Sequence, residues 1–399
     1  MFASRTNWEL ARNRFTRALE SQRRAGKPLL DLTVSNPTDC GLSYPEKEIL
    51  EALTDPRALA YSPESKGLVE ARAAIADYYA GRAGFAGDRG HVDPENVILT
   101  SGTSEGYSHI FRLLCEPGDE ILVPAPSYPL FEFLADLADV RLVPYPLLYD
   151  HGWQIDFVSL RAAITPRSRA VMVVHPNNPT GSFVKPQEAD QLAGICSEKG
   201  MAIVADEVFL DYSGTPDLTR TFALHESALT FTLSGLSKIS LLPQMKLAWM
   251  VVSGPPSLVQ TAVERLEIIA DTYLSPSTPV QLALPPFLAL RHGLQAQLQQ
   301  RISTNLAVLD GALRESNVLT RLDHEGGWYA VLRVPVAGTD EDLAVSLFER
   351  CSVLVHPGHF FNFSRDGFLV LSLITPESQF QEGVRRLGEF FSGSMDKRG

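Results

Sequence analysis

Cysteine is scarce in this chain. Cys40, Cys115, Cys196 and Cys351 are spread over 399 residues, and no two form a Cys-x-x-Cys pair. That spacing offers neither a disulfide framework nor a zinc site, and it fits a reducing compartment, so the cytoplasm is the expected location. Positive charge is also in the minority. Thirty-five Lys and Arg face 47 Asp and Glu, a net charge of -12. No basic stripe is present, which argues against a nucleic-acid partner. Long apolar runs are missing as well. A membrane-spanning helix needs about 20 apolar residues, and no stretch comes near that, so no membrane partner is expected. No internal repeat or low-complexity segment occurs. The arginine-rich start is the local exception. Arg5, Arg12, Arg14, Arg17, Arg23 and Arg24 accompany Trp8, Ala11, Phe15 and Leu19 at helical spacing. This could be a transit peptide, but Glu9 and Glu20 interrupt the pattern and favour an amphipathic helix of the folded protein.

What remains is ordinary for a globular protein, 45% hydrophobic and 21% charged. The length suits a two-lobed α/β enzyme. Apolar strands are predicted near residues 97–100, 120–124, 140–143, 169–174, 201–205, 229–233 and 247–252, alternating with helical patterns. Such alternation implies a mostly parallel sheet with helices on both faces. Residues 46–282 are read as this large domain. Residues 1–45 and 283–399 are read as a smaller α+β domain built from both chain ends. Its expected strands are 29–34, 328–334, 352–355 and 367–372, followed by a terminal helix. Helices over 283–318 are expected to break at His292-Gly293.

Four short strings carry chemistry. Lys238 lies in Ser234-Gly235-Leu236-Ser237-Lys238, read as a strand-to-loop exit after an apolar run. A lysine with small neighbours can reach a carbonyl carbon and form a Schiff base with an aldehyde. Standing alone, it reads far more readily as a solvated surface lysine. Asp206 closes the buried strand pattern Gly200 to Ala205, at the carboxyl end where open α/β sheets bind ligands. It could hold a protonated pyridine nitrogen, or simply cap the next helix. Asn178 sits in Asn177-Asn178-Pro179-Thr180-Gly181, a turn directly after another buried strand. Gly102, Thr103 and Ser104 join a strand to an apolar-periodic helix, and backbone N–H groups at a helix N-terminus bind phosphate.

In this order, with the aromatic Tyr128 between the phosphate turn and Asn178, the strings resemble the fold-type I pyridoxal-phosphate enzymes. The closer resemblance is to the class I/II aminotransferases of the aspartate aminotransferase superfamily. It runs from about residue 30 to the C-terminus and includes Glu116-Pro117-Gly118-Asp119, Glu325-Gly326-Gly327-Trp328-Tyr329 and His356-Pro357-Gly358. The resemblance implies pyridoxal 5'-phosphate as cofactor, with Lys238 as its covalent attachment and proton shuttle. Asp206 would hold the ring nitrogen, Asn178 the ring oxygen and Tyr128 the ring face. Gly102, Thr103, Ser104, Ser234, Ser237 and Lys246 would hold the phosphate. Tyr61 would reach the partner's cofactor in a homodimer with shared active sites. The implied reaction moves an amino group between a small-molecule amino donor and a keto acid by a ping-pong cycle; a lyase or decarboxylase on the same scaffold is the alternative.

The chain departs from the family pattern in places. Lys246 stands where a phosphate-binding arginine is usual, and Phe209 where a tyrosine is usual, with Tyr212 a candidate to reach in instead. Val370 stands where an arginine holds the substrate carboxylate. Tyr273 stands where aspartate-specific members carry an arginine, which disfavours dicarboxylate specificity. Candidates to replace the Val370 position are Arg365 first, then Asn178, His175, His359 and Asn362.

Overall fold

The computed structural model describes residues 1–8, 14–24, 29–85, 90–214, 219–274, 276–314, 318–335 and 338–393. Ala11, Arg12 and Glu9 of the N-terminal pattern lie outside this set. Its remaining part forms a helix over Arg14–Arg24, with Phe15 buried.

An eight-stranded sheet dominates. Its spatial order is Val97–Thr100, Ala248–Ser253, Thr230–Gly235, Ala202–Asp206, Ser168–Val174, Glu120–Ala125, Arg141–Tyr149 and Trp153–Ile155. The five strands from Thr230–Gly235 through Arg141–Tyr149 pair in parallel. Ala248–Ser253 runs antiparallel to both neighbours, and Trp153–Ile155 is an antiparallel edge. The seven strands expected near 97–252 are all present.

Burial on both faces explains the near-continuous apolar sequence of these strands. Met172, Val204 and Phe231 point to one face, toward the helices Thr103–Leu114 and Pro256–Tyr273. Val171, Val173 and Ile203 point to the other, toward the helix Pro186–Lys199. Period-two alternation within a continuously apolar run is what divides them.

A second sheet of four strands has the order Thr320–Arg321, Tyr329–Arg333, Phe368–Ser372 and His356–Pro357, all antiparallel. The short strand Leu30–Asp31 pairs instead with Val353–Leu354. The core beneath these elements joins Phe15, Leu32 and Cys40 to Val331, Val370 and Phe380.

Two local expectations are corrected. The chain does not break at His292-Gly293; a single 31-residue helix runs over Leu284–Arg314. A glycine in a helix interior costs about 1 kcal/mol relative to alanine. Burial of Leu294 and Leu298 offsets that cost, as do hydrogen bonds from Gln295 Nε2 to Asp211 and to the Ile239 carbonyl. The segment after the strand Thr230–Gly235 is not a loop either. It turns directly into a short helix, Leu236–Ile239, because Leu236 and Ile239 are both buried one turn apart.

Candidate active site

The carboxyl ends of the parallel strands open into a cavity of about 330 Å³. Lys238 and Ser237, on the short helix, line one side of it. Asp206 and Asn178, at and beyond their strand ends, form its base. Thr103 and Ser104 enter from the first turn of the helix Thr103–Leu114, and Tyr128 overhangs from the next strand end.

Lys238 sits in an aromatic setting. Its Nζ lies 4.5 Å from the ring centre of Trp328 and 5.7 Å from that of Phe209. Burial pushes its pKa down to about 8, against the attraction of the Asp206 carboxylate. The amine is therefore far easier to deprotonate than an ordinary lysine.

Asp206 is buried, and burial raises its carboxyl pKa. Two donors oppose that. The Tyr107 hydroxyl donates to Oδ2 at 2.7 Å, and the Val208 N–H donates to Oδ1 at 3.1 Å. The neighbouring Glu207 is buried too, but it is spent on structure, accepting from the Thr221 hydroxyl and the Phe222 N–H.

Asn178 is buried and its Oδ1 has no hydrogen-bond partner. The helix Thr103–Leu114 has Gly102 as its N-cap, in extended conformation, with no side-chain cap. Its first N–H groups are thus left for another acceptor. Gly106 lets this helix lie close to the sheet; a Cβ there would come within 2.7 Å of Leu233.

The other sequence candidates are placed differently. Ser234 is fully buried in its strand, its Oγ unpartnered, and does not line the cavity. Lys246 is exposed, in left-handed conformation after the turn Pro243–Met245, and also lies off the cavity wall. Tyr61 is 80% exposed and away from the cavity. Arg365 lines an adjacent groove of about 950 Å³ that shares only Tyr128 with the Lys238 cavity, and its guanidinium lies 5.8 Å from the Phe368 ring centre. His175 is fully buried. Its Nδ1 accepts from the Val184 N–H and its Nε2 donates to the Arg220 carbonyl, so it has nothing left for a ligand. Asn362 donates to Glu132, and neither it nor the exposed His359 lines the cavity. Tyr212 does not reach in beside Phe209; its hydroxyl donates to the Lys238 carbonyl at 2.7 Å. Tyr273 packs on His109 and Arg112 instead.

Four residues of the site carried no sequence role. Tyr107 reads as one more apolar position of a helix, and Trp328 as part of a glycine-rich string. Tyr329 and His356 line the cavity from the smaller sheet. The juxtaposition of that sheet with the Lys238 turn is a tertiary fact with no local signal.

The residues present suit pyridoxal phosphate. The cavity combines a buried amine of lowered basicity, a buried carboxylate in need of a cation, an unpartnered amide oxygen and an uncapped helix N-terminus. Among the described residues, no group of His, Cys, Asp and Glu could hold a metal ion. No described helix is long and apolar enough to cross a membrane.

Comparison with known proteins agrees with this class of site. The family model for aminotransferase class I and II matches residues 27–387. The chain belongs to that family, and it is an aminotransferase. It is 28% identical over 387 residues to a glutamate-pyruvate aminotransferase of Haemophilus influenzae, covering 92% of this chain and 91% of the relative. It is 27% identical over 386 residues to an alanine aminotransferase of Mycobacterium tuberculosis, covering 92% and 86%. Among solved structures, an alanine aminotransferase from Pyrococcus furiosus superposes with a TM-score of 0.85 at 23% identity, covering all of both chains. An aminotransferase from Escherichia coli gives 0.83 at 25% identity, covering 98% of each.

Proposed function

We propose that the protein transfers the amino group of an α-amino acid to a 2-keto acid, using pyridoxal phosphate bound at Lys238. The observation that carries this reading is the convergence of Lys238, Asp206, Asn178 and the uncapped helix N-terminus on one cavity. The names of the relatives support alanine, glutamate and pyruvate as the first substrates to test, and they weigh against a dicarboxylate-specific aspartate enzyme.

Pyridoxal phosphate, when bound, supplies an electron sink for charge developing at the substrate α-carbon. The chain's own residues supply the rest. Lys238 Nζ, deprotonated readily at neutral pH, binds the cofactor aldehyde and later carries the proton to and from the substrate α-carbon. Trp328 and Phe209 shield that amine from bulk water. Asp206 keeps the ring nitrogen protonated, and Tyr107 and Val208 hold the carboxylate in its charged form. Asn178 would meet the ring oxygen, Tyr128 would cover the ring, and Gly102, Thr103, Ser104 and Ser237 would hold the phosphate. Lys246 and Ser234 do not line the cavity, and neither is assigned a contact with that phosphate.

The 80% exposure of Tyr61 supports a homodimer in which it serves the partner's site. Four free thiols support a reducing compartment, the cytoplasm. The shared core of Phe15, Leu32 and the C-terminal elements supports a division into 46–282 and 1–45 with 283–399. The test of function is a half-reaction. The cofactor-loaded protein is mixed with a panel of amino acids, and the absorption change and keto product are followed. Loss of the lysine-bound cofactor band with stoichiometric keto acid is expected. No keto acid from any amino acid would refute the reading.

A further inference from the structure

His356 opens a two-residue strand of the smaller sheet, directly across from Val370. Val370 in turn pairs with Val331 on its other side. Residues directly opposite in an antiparallel pair project to the same face. That face also carries Tyr329, two residues before Val331, and both Tyr329 and His356 reach the Lys238 cavity. The ring of His356 is wedged between Phe361, 5.6 Å away between ring centres, and Phe360, 6.1 Å away. Its buried Nδ1 has no hydrogen-bond partner.

An α-amino acid brings a carboxylate into this cavity, and its 2-keto product keeps it. A buried carboxylate without a donor is very costly. Among the described residues, Lys238 is the only lysine or arginine on the cavity wall, and the proposed chemistry occupies it. Val370 cannot donate. We propose that His356 anchors the carboxylate of the amino-acid and keto-acid substrates, its ring donating an N–H to a carboxylate oxygen.

The assignment rests on the transaminase reading and adds a residue to it. In the free cavity burial lowers the His356 pKa to about 4, although the Asp31 carboxylate and a hydrogen bond with the Thr33 backbone raise it. The ring is thus neutral in the free cavity with its one N–H turned to the Thr33 backbone, and donating to a carboxylate as well requires a second ring proton. The other titratable groups around the cavity are Lys238, Asp206, Tyr107, Tyr128 and Tyr329. A carboxylate arriving at the ring adds a second negative partner beside Asp31, so binding favours imidazolium and strengthens at lower pH.

The test compares substrates with and without the carboxylate. Wild type, His356→Ala and His356→Gln are loaded with cofactor and assayed with alanine, with pyruvate and with ethylamine, which is alanine without its carboxylate. A charge-assisted hydrogen bond is worth roughly a factor of ten or more in affinity. His356→Ala is expected to raise the KM for alanine and pyruvate by about that factor, with the lysine-bound cofactor band and the rate with ethylamine unchanged. Gln, whose amide N–H can take the place of the imidazole N–H, recovers most of the loss. Calorimetric binding of pyruvate to the aminated protein reads the same contact without turnover. An equal loss with ethylamine, or an unchanged KM for alanine and pyruvate, overturns the assignment. If wild type turns over no amino acid at all, the transaminase reading falls first, whereas an active wild type with indifferent His356 variants removes the anchor alone.

Discussion

The Tyr107 hydroxyl donates to Asp206 Oδ2 at 2.7 Å, from a helix that the sheet reaches only through tertiary packing. Burial pushes the Asp206 carboxyl toward its neutral form, and Tyr107 pulls it back. A carboxylate meant to hold a cationic ring nitrogen must stay charged, so this hydroxyl is tied directly to cofactor retention.

Tyr107→Phe removes that donor while keeping the ring that packs edge-on against Phe131 at 5.2 Å. A hydrogen bond to a charged group contributes about 1.5–3 kcal/mol. Cofactor affinity is expected to fall by about one to two decades on that basis. Equilibrium titration of the cofactor-free variant reads it, and an unaltered dissociation constant counts against the role.

Lys238→Ala is expected to abolish covalent cofactor capture. Borohydride reduction followed by mass spectrometry should give a stable adduct in wild type and none in the variant. An adduct of equal yield in Lys238→Ala places the attachment elsewhere.

Lys238 also leaves a mark on stability. Its pKa is about 8 in the folded protein against an ordinary value of 10.5. Between those values the unfolded chain binds more protons than the folded one, so stability of the cofactor-free protein rises with pH across that window. Below it, the buried charge is a standing cost. Lys238→Met should therefore melt at a higher temperature than wild type at pH 7, with the gap closing toward pH 10.5. Parallel melting curves from pH 7 to 10.5 would show that the amine is not desolvated.

Tyr61 gives a test of shared sites. Tyr61→Ala and Lys238→Ala are each expected to be poorly active, and mixing them with subunit exchange should restore part of the activity, because one hybrid site has both native residues. Mixed samples no better than their components would rule out a contribution across the dimer.

Seven of the eight strands of the large sheet were legible because they are largely apolar runs punctuated by turn residues, with Asp206 and Asn178 at or just past strand ends, whereas the three-residue edge strand Trp153–Ile155 carries no such run. The single helix Leu284–Arg314 was not, because the His292-Gly293 signal is local while Leu294, Gln295 and Leu298 are held by distant partners. The core of the site follows the same division. Lys238, Asp206, Asn178, Tyr128 and the phosphate turn lie in strings with their own signatures, and all share the cavity apart from Gly102, which caps the adjoining helix. Arg365 was favoured for its nearness to Val370 in sequence, yet it opens on another groove. His356 stands far from Val370 along the chain and directly opposite it in the sheet.

The cavity takes its base from the large sheet and part of its wall from the small one. A ligand that touches Lys238 and Tyr329 together therefore works as a clasp. Filling the cavity is expected to stiffen the seam between the two sheets, and emptying it to loosen that seam. Resistance to proteases at that seam should accordingly track how full the cavity is.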